Sequence, residues 1–160
     1  MDTDTLKGLA IVAIADGVRL GRVSDVLFAP QPLAMVALQV QGDGGSFVVP
    51  LERIHQIGSD AITVQDSSVT QAPSNGGALG GLLPLSDIHK LKVVDAAGTY
   101  LGTIKTADVD PASGRVTALQ VHKGGLLGLG GTTTPVEAAM IRSVGPELVT
   151  VAGASAAPAQ

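Results

Sequence analysis

The sequence predicts an all-β protein made of two tandem small β-barrels. Three observations support this fold class: short β-branched runs, Gly and Pro breaks between those runs, and an internal repeat. The aromatic residues are Phe28, Phe47 and Tyr100, so Val, Leu, Ile and Ala must fill the core. The 21 Gly and 9 Pro residues leave few stretches long enough for a helix, which is typical of a β protein with many turns.

The repeat is visible when the sequence is aligned with itself at an offset of 81 residues. Over Gly17–Val40 there are eight identities in 24 positions without a gap, including the whole of Ala37–Val40, which recurs as Ala118–Val121. Further along, Pro50–Glu52 aligns with Pro135–Glu137 at an offset of 85, and the chain segments that follow align at 87. Identities that fall in one order along the chain indicate a duplication.

Each copy is predicted to contain about five short strands and one short helical turn before the last strand. The strands of the first copy are Leu9–Ala15, Arg19–Phe28, Ala34–Gln41, one that ends at Pro50, and Ile62–Val64. Those of the second are Leu91–Ala96, Tyr100–Val109, Arg115–His122, one that ends at Pro135, and Val149–Val151. Gly21 and Gly102 predict a bulge or a close backbone approach inside the second strands. Five short strands favour a closed barrel, which has no free edges.

The domain organisation follows from the repeat and from local composition. The first barrel covers residues 5–65 and the second covers 84–152. Residues 66–83 are rich in Ser, Asn, Gly and Pro and are predicted to be a flexible linker, and residues 153–160 a disordered tail. Because a domain of about 60 residues is only marginally stable alone, packing of the copies is one expectation. The other expectation, which the long linker allows, is that the two copies stay apart.

Charge and composition exclude some classes of partner and compartment. The net charge is −4, and all of this surplus lies in residues 1–70, so neither half has a basic surface for direct nucleic-acid binding. The absence of Cys excludes disulfides and thiolate metal sites. The acidic start Met1–Thr5 is unlike a secretory signal, and the apolar runs are too short to span a bilayer. These features predict a cytoplasmic protein.

The segment Val93–Ile104, with its Gly98-x-x-Leu101-Gly102 pattern, resembles the opening of the PRC-barrel family. This family includes the cytoplasmic domain of the photosynthetic reaction-centre H subunit and the C-terminal domain of the ribosome maturation factor RimM. The Asp110–Gly114 turn, the Ala-Leu-Gln-Val strands, residues 50–52 and the loop Gly124–Gly130 look like further family positions. The resemblance covers roughly residues 5–65 and 84–152. It implies a binding or assembly role and no catalytic activity.

The first copy departs from the family pattern more than the second does. Where the second has Asp95, the first has Ala13 or Ile14, depending on a one-residue gap. The second copy is therefore the more typical one. Its fourth strand, Thr132–Pro135, is unusually polar and is expected to be an exposed edge.

The search for catalytic, cofactor and metal sites yields no constellation. The loop Gly124–Gly131 has the glycine spacing of a phosphate-binding loop but lacks the Lys that would contact phosphate, so a hairpin loop is the preferred interpretation. Its two leucines, Leu126 and Leu127, are candidate contacts for a partner. The three histidines, His55, His89 and His122, lie in different elements without metal-ligand spacing.

The isolated carboxylates have structural explanations too. Asp108 and Asp110 flank a turn and are expected to cap it. Glu52 and Glu137 both follow a Pro, which indicates favourable charge at the start of a helical turn. No catalytic residue, cofactor or metal is therefore predicted.

The sequence thus predicts a non-enzymatic protein-interaction or assembly module that assists the assembly of a membrane complex, a photosynthetic one included. Asp16, Asp25 and Asp43 in the acidic first copy are candidate contacts for a basic protein partner, beside Leu126 and Leu127 in the second. Peripheral association with a membrane complex and homo-oligomerisation stay open. One alternative is a sensor that binds a small ligand between the barrels. Another is a ribosome-maturation-like factor, weakened because no RNA-facing domain precedes the barrel.

Overall fold

The computed structural model describes residues 1–30, 33–70, 82–124, 131–145 and 147–152. The strands of the first half are β1 (Ala10–Ala13), β2 (Arg19–Pro30), β3 (Leu33–Gly42), β4 (Gly45–Pro50), β5 (Ile54–Ile57) and β6 (Ala61–Val64). A short strand β7 (Leu83–Pro84) and a one-turn helix α1 (Leu85–Ile88) open the second half. It continues with β8 (Lys92–Asp95), β9 (Tyr100–Val109), β10 (Val116–Gly124), β11 (Gly131–Glu137), β12 (Ile141–Val144) and β13 (Leu148–Val151). The 3₁₀ turns described are Thr3–Leu6, Leu51–Arg53, Ser67–Val69 and Ala138–Met140.

The two halves have the same sheet topology, which confirms the all-β class with two tandem units. The strand order is β4-β3-β2-β1-β6-β5 in the first sheet and β11-β10-β9-β8-β13-β12 in the second. Neighbouring strands are antiparallel except β1–β6 and β8–β13, which are parallel. The parallel pair brings the last hairpin of each half back beside its first strand.

Each half supplies six strands to its own sheet, one more than predicted, and the short β7 joins the first sheet as a seventh strand. The additional strands are β5 and β12, in the regions where the sequence pattern predicts a helical turn before the last strand. Ile54 and Ile57 are three positions apart, which is the spacing of a helix. The alternation of apolar and polar residues that indicates a strand is therefore absent from this segment. A register irregularity between Ile54 and Gln56 in the β5–β6 ladder accommodates this spacing within a strand.

The β-ladders correct one step of the sequence alignment. Ala37 pairs with Pro50 in the first half, whereas its equivalent Ala118 pairs with Glu137 in the second. The offset is therefore 87 from β4 onward, and the match of Pro50 with Pro135 at 85 is wrong. The extra residues all lie in the connection between β10 and β11. The hydrogen bonds between the strands determine the register here, and the similarity of the two Pro-x-Glu sequences does not determine it.

The glycines inside the second strands occur where two backbones approach closely, as predicted. A Cβ atom on Gly21 would lie 2.5 Å from the carbonyl oxygen of Gln41. One on Gly102, whose φ is +135°, would lie 2.4 Å from that of His122. No other residue fits without moving the neighbouring strand.

The halves pack around a pseudo-twofold axis. Ala34 forms an isolated antiparallel bridge with Arg115, its own equivalent at the offset of 81, and the Met35 N–H donates to the Gly114 oxygen at 2.6 Å. Contact between equivalent residues places the axis between Ala34 and Arg115. Of the two arrangements left open by the linker, the structure has the packed one.

A reciprocal exchange of short segments reinforces this packing. β7 pairs with β2, Leu83 opposite Phe28 and Pro84 opposite Leu27. At equivalent positions, Asp2 bridges to Asp108, and Met1 and Val109 exchange backbone hydrogen bonds of 3.0 and 2.8 Å. The segment that precedes each barrel therefore extends the sheet of the other. One hydrophobic cluster, with Leu6, Phe28, Leu85 and Leu119 among its largest members, spans both halves.

The domain boundaries remain a prediction, and the structure describes the ends of the predicted linker. Ser67–Val69 forms a 3₁₀ turn that buries Val69 in the common core. Asp66 caps this turn, its carboxylate accepting the Ser68 N–H at 2.9 Å. Residues 71–81 of the linker and the predicted tail 153–160 lie outside the described residues.

Candidate functional site

Of the candidate contact residues that the structure describes, Asp16 and Asp43 lie at one end of the first sheet. In the first half the β1–β2 turn (14–18) and the β3–β4 turn (43–44) share an end, because the intervening strands β2 and β3 run in opposite directions. We call this the first hairpin end, and its counterpart, with the β8–β9 turn and the β10–β11 connection, the second hairpin end. The contact between the halves occurs at Ala34 and Met35, the opposite end of β3. Nine residues of extended chain separate Ala34 from Asp43, roughly 30 Å.

Two large apolar side chains are exposed at the first hairpin end. Ile14 is 46% exposed and Val18 is 50% exposed, and they flank one turn. Asp16 lies between them, exposed, and its carboxylate accepts the backbone N–H of Val18 at 3.1 Å. Asp16 therefore stabilises the turn that displays both apolar side chains. The sequence pattern does not indicate that Ile14 and Val18 are surface groups, because Ile14 falls within the predicted strand Leu9–Ala15.

Asp43 lies in the neighbouring turn of the same end, exposed to solvent. It lines a shallow hollow together with Arg19 and Arg22. The negative charge predicted for a basic partner is thus accompanied by two guanidinium groups. The first hairpin end is charged with both signs, and its distinguishing feature is the exposed apolar pair.

Asp25 occupies a different place from the other two carboxylates. Its side chain is 13% exposed and accepts the Ser86 hydroxyl at 2.8 Å, with Lys7 Nζ at 3.9 Å. Ser86 belongs to α1, so this hydrogen bond joins the two halves. Partner contact by Asp25 remains untested. Its contacts in the structure are internal to the chain.

Leu126 and Leu127 lie outside the described residues, and their role as partner contacts stays a prediction. The strands that lead to them are described: Gly124 at the end of β10 pairs with Gly131 at the start of β11. At the same end Tyr100 is 42% exposed, with Lys123 Nζ 5.8 Å from its ring centroid. The β11 residues Thr132–Thr134 are exposed on the edge strand of the second sheet, as the polar sequence predicted.

A cleft of about 750 Å³ lies between the two halves near the pseudo-twofold axis. Pro30 and Leu33 line it from the first half, and residues of β10 and β12 line it from the second. Arg115 and Arg142 both border it. Neither has a carboxylate within 4.0 Å among the described residues, whose ion pairs are Lys7–Asp25, His89–Asp4 and Lys90–Asp87. No sequence pattern pointed to these two arginines, because 27 positions separate them.

Two of the three histidines border the same hollow although they belong to different elements. His89 and His122 line one hollow of about 410 Å³ with Lys105. The Nε2 atom of His89 lies 3.2 Å from Asp4 Oδ1 without forming a hydrogen bond of regular geometry, and His122 Nδ1 lies 3.0 Å from the Thr133 hydroxyl. The part of the chain described here contains no group of three or more His, Asp or Glu side chains arranged for a metal ion.

The remaining carboxylates have local partners. Asp110 caps its turn as predicted, accepting the Ala112 N–H at 3.0 Å and the Ser113 hydroxyl at 3.2 Å. Asp108 does not cap the turn: it accepts the Gln120 amide at 2.8 Å across the sheet. Glu52 lies inside a 3₁₀ turn, whereas Glu137 ends β11 and precedes one, so the two are not equivalent.

None of the helices described in this structure is long and apolar enough to cross a bilayer. No curated protein matches the chain with significant similarity. The family model of the PRC-barrel domain matches the chain twice, over residues 1–71 and 81–154. Both matches coincide with the two six-stranded halves and include the segments that the halves exchange. The chain therefore belongs to the PRC-barrel family, of which it contains two tandem copies.

Proposed function

We propose that this protein is a non-enzymatic protein-interaction module that assists the assembly of a membrane complex. The observation that carries the proposal is the position of the hairpin ends. The packing of the two halves uses the opposite end of β3 and β10, and the described turns of the hairpin ends, residues 14–18, 43–44 and 96–99, are exposed. The exposed pair Ile14 and Val18 supplies the apolar contact that the core of a protein interface needs. Membership of the PRC-barrel family supports an assembly role.

The two hairpin ends have different chemistry, which favours two different contacts. The first presents Ile14 and Val18 with Asp16 and Asp43. The second presents Tyr100 and Lys123 beside the connection that holds Leu126 and Leu127. A module with two unlike ends at opposite sides of its internal contact is suited to joining two components of a complex.

The test is affinity capture with the tagged full-length chain from detergent-solubilised membranes of the source cells. The double variant Ile14→Asp/Val18→Asp is expected to lose the captured partner, because charge in the apolar contact opposes its burial. Asp60→Lys is the matched control, since Asp60 is exposed in the β5–β6 turn at the other end of the sheet. Thermal unfolding of all variants establishes that they fold. Failure to recover a reproducible partner, or equal capture by the double variant, would overturn the proposal.

A second candidate function is the binding of a small ligand between the barrels, and the cleft favours it. Its volume lies within the range of small-molecule sites, and two halves of the chain contribute to its walls. Thermal-shift screening of the full-length protein with metabolites and nucleotides is the test. A saturable rise of several degrees in Tm supports ligand binding, and the absence of any saturable shift contradicts it.

A further inference from the structure

The cleft between the halves lies at a place where the two copies differ in the size of a side chain. By the strand register, Leu51 of the first half is equivalent to Ala138 of the second. Leu51 packs tightly near the axis: a Cβ atom on Gly114 would lie 2.5 Å from its Cδ2 atom. Ala138 and Ala139 line the cleft at the corresponding place. The second copy therefore has an alanine in the cleft wall at the position where the first copy has a packed leucine.

The walls of the cleft combine cationic and apolar groups. Arg115 and Arg142 are the cations, and Ser113, Thr117 and Ser143 add hydroxyls. The one carboxylate of the lining, Asp110, accepts hydrogen bonds from its own turn. It forms no ion pair within 4.0 Å with Arg115 or Arg142, as the ion pairs of the described residues show. Apolar wall area comes from Leu33, Val116, Ile141 and Val144. Guanidinium groups bind carboxylates in a bidentate geometry, and apolar walls bind hydrocarbon.

We propose that this cleft binds an organic acid with an aliphatic body, its carboxylate at Arg115 and Arg142 and its chain against the apolar wall. This inference rests on the second candidate function and names its ligand class. Because the binding site includes Pro30 and Leu33 from the other half, the ligand would contact both halves and stabilise their packing.

The test is isothermal titration calorimetry of the full-length protein at pH 7. The ligands are the linear carboxylates from acetate to octanoate, and octanamide is the neutral control. We expect octanoate to bind more tightly than octanamide. Affinity should rise by up to about fourfold for each methylene that becomes buried. Arg115→Gln and Arg142→Gln should each lower octanoate affinity about tenfold or more. Arg19→Gln, an exposed arginine at the first hairpin end, is the matched control and should leave it unchanged.

A second variant fills the cleft without touching its charges. Ala138→Leu restores the side chain that the first half has at the equivalent position, and it should abolish octanoate binding while the protein keeps its Tm. Equal affinity for octanoate and octanamide, or unchanged octanoate affinity in both arginine variants, would overturn the proposal that the ligand is an organic acid. The second candidate function, ligand binding in the cleft, would then still stand. If neither of these probes nor any compound of the thermal-shift screen binds, the inference and the second candidate function both fail.

Discussion

Gly114 lies at the point where the two halves meet, and its replacement tests the packing there. Its φ is +77°, and a Cβ atom would lie 2.1 Å from the Met35 oxygen. We expect Gly114→Ala to lower the free energy of unfolding by about 3 kcal/mol or more, because strain and steric overlap add. Urea denaturation followed by circular dichroism gives the value.

The matched control is Gly98→Ala in the β8–β9 turn. Gly98 also has a positive φ, +85°, but a Cβ atom there meets nothing within 4 Å. Backbone strain alone should cost about 1–2 kcal/mol. Equal losses at both glycines would show that the close approach at the pseudo-twofold axis contributes nothing.

Asp66 makes the stability of the Ser67–Val69 turn depend on pH. Hydrogen bonds from the Ser68 hydroxyl and N–H, with a smaller effect of the Arg53 charge, hold the pKa of this exposed carboxyl below its usual 3.8. A lowered pKa means that the stabilisation is complete above pH 3.8 and is lost as the pH falls through the lowered pKa. Asp66→Asn keeps an acceptor for the Ser68 N–H without the titration.

The measurement for Asp66 is the Tm of wild type and variant between pH 6 and pH 2. We expect the difference between the two proteins to shrink as the pH falls through that window. A difference that stays constant across the range would contradict the assignment of the titration to Asp66.

At the scale of elements, the exchanged segments connect the stability of one half to the other. Leu6 is 1% exposed in the common core and belongs to the 3₁₀ turn whose preceding residues pair with β9. Leu6→Ala should lower the free energy of unfolding by about 2–5 kcal/mol. It should also reduce the hydrogen-exchange protection of the Val109 amide, which donates to the Met1 oxygen in the other half.

Leu148→Ala is the control for Leu6. Leu148 is 38% exposed in β13, so its truncation should change stability by less than about 0.5 kcal/mol and leave the Val109 amide protected. Unchanged protection of Val109 in Leu6→Ala would show that the N-terminal turn does not support β9.

The hydrogen bond between Asp25 and Ser86 is the side-chain part of the same exchange. A double-mutant cycle with Asp25→Ala and Ser86→Ala should give a coupling free energy of about 1 kcal/mol. The two residues belong to different halves, so a coupling near zero would mean that the side chains do not interact across the contact in solution.

At the scale of the whole molecule, the hydrophobic cluster that spans both halves predicts that the two barrels unfold together. If a protease site inserted within residues 71–81 is cleaved, the two fragments should co-elute on size exclusion at the volume of the uncut chain. Backbone pairing at two exchanged segments and at Ala34–Arg115 holds them together. Separate elution of two folded fragments would contradict the common core, and heat denaturation before loading is the control that separates them.

The sequence by itself determined the fold class, the duplication and most strands. Periodic β-branched runs between glycines form strands through interactions between residues that are close in the sequence, so they can be recognised there. Gly21 and Gly102 indicated close backbone approaches because only glycine fits at such positions. The strands β5 and β12 were missed, since Ile54 and Ile57 have helical spacing and become a strand only through pairing with β6.

Tertiary structure alone decided which residues meet. Asp16, Asp25 and Asp43 looked alike in the sequence, yet one caps an exposed turn, one joins the halves and one lies beside two arginines. Arg115, next to β10, and Arg142, in β12, border one cleft although their strands are not neighbours in the sheet, and no local pattern encodes this. The linker permitted separate or packed barrels, and the packed form followed from long-range contacts. These are a shared core and two exchanged segments, which pair residues more than 50 positions apart.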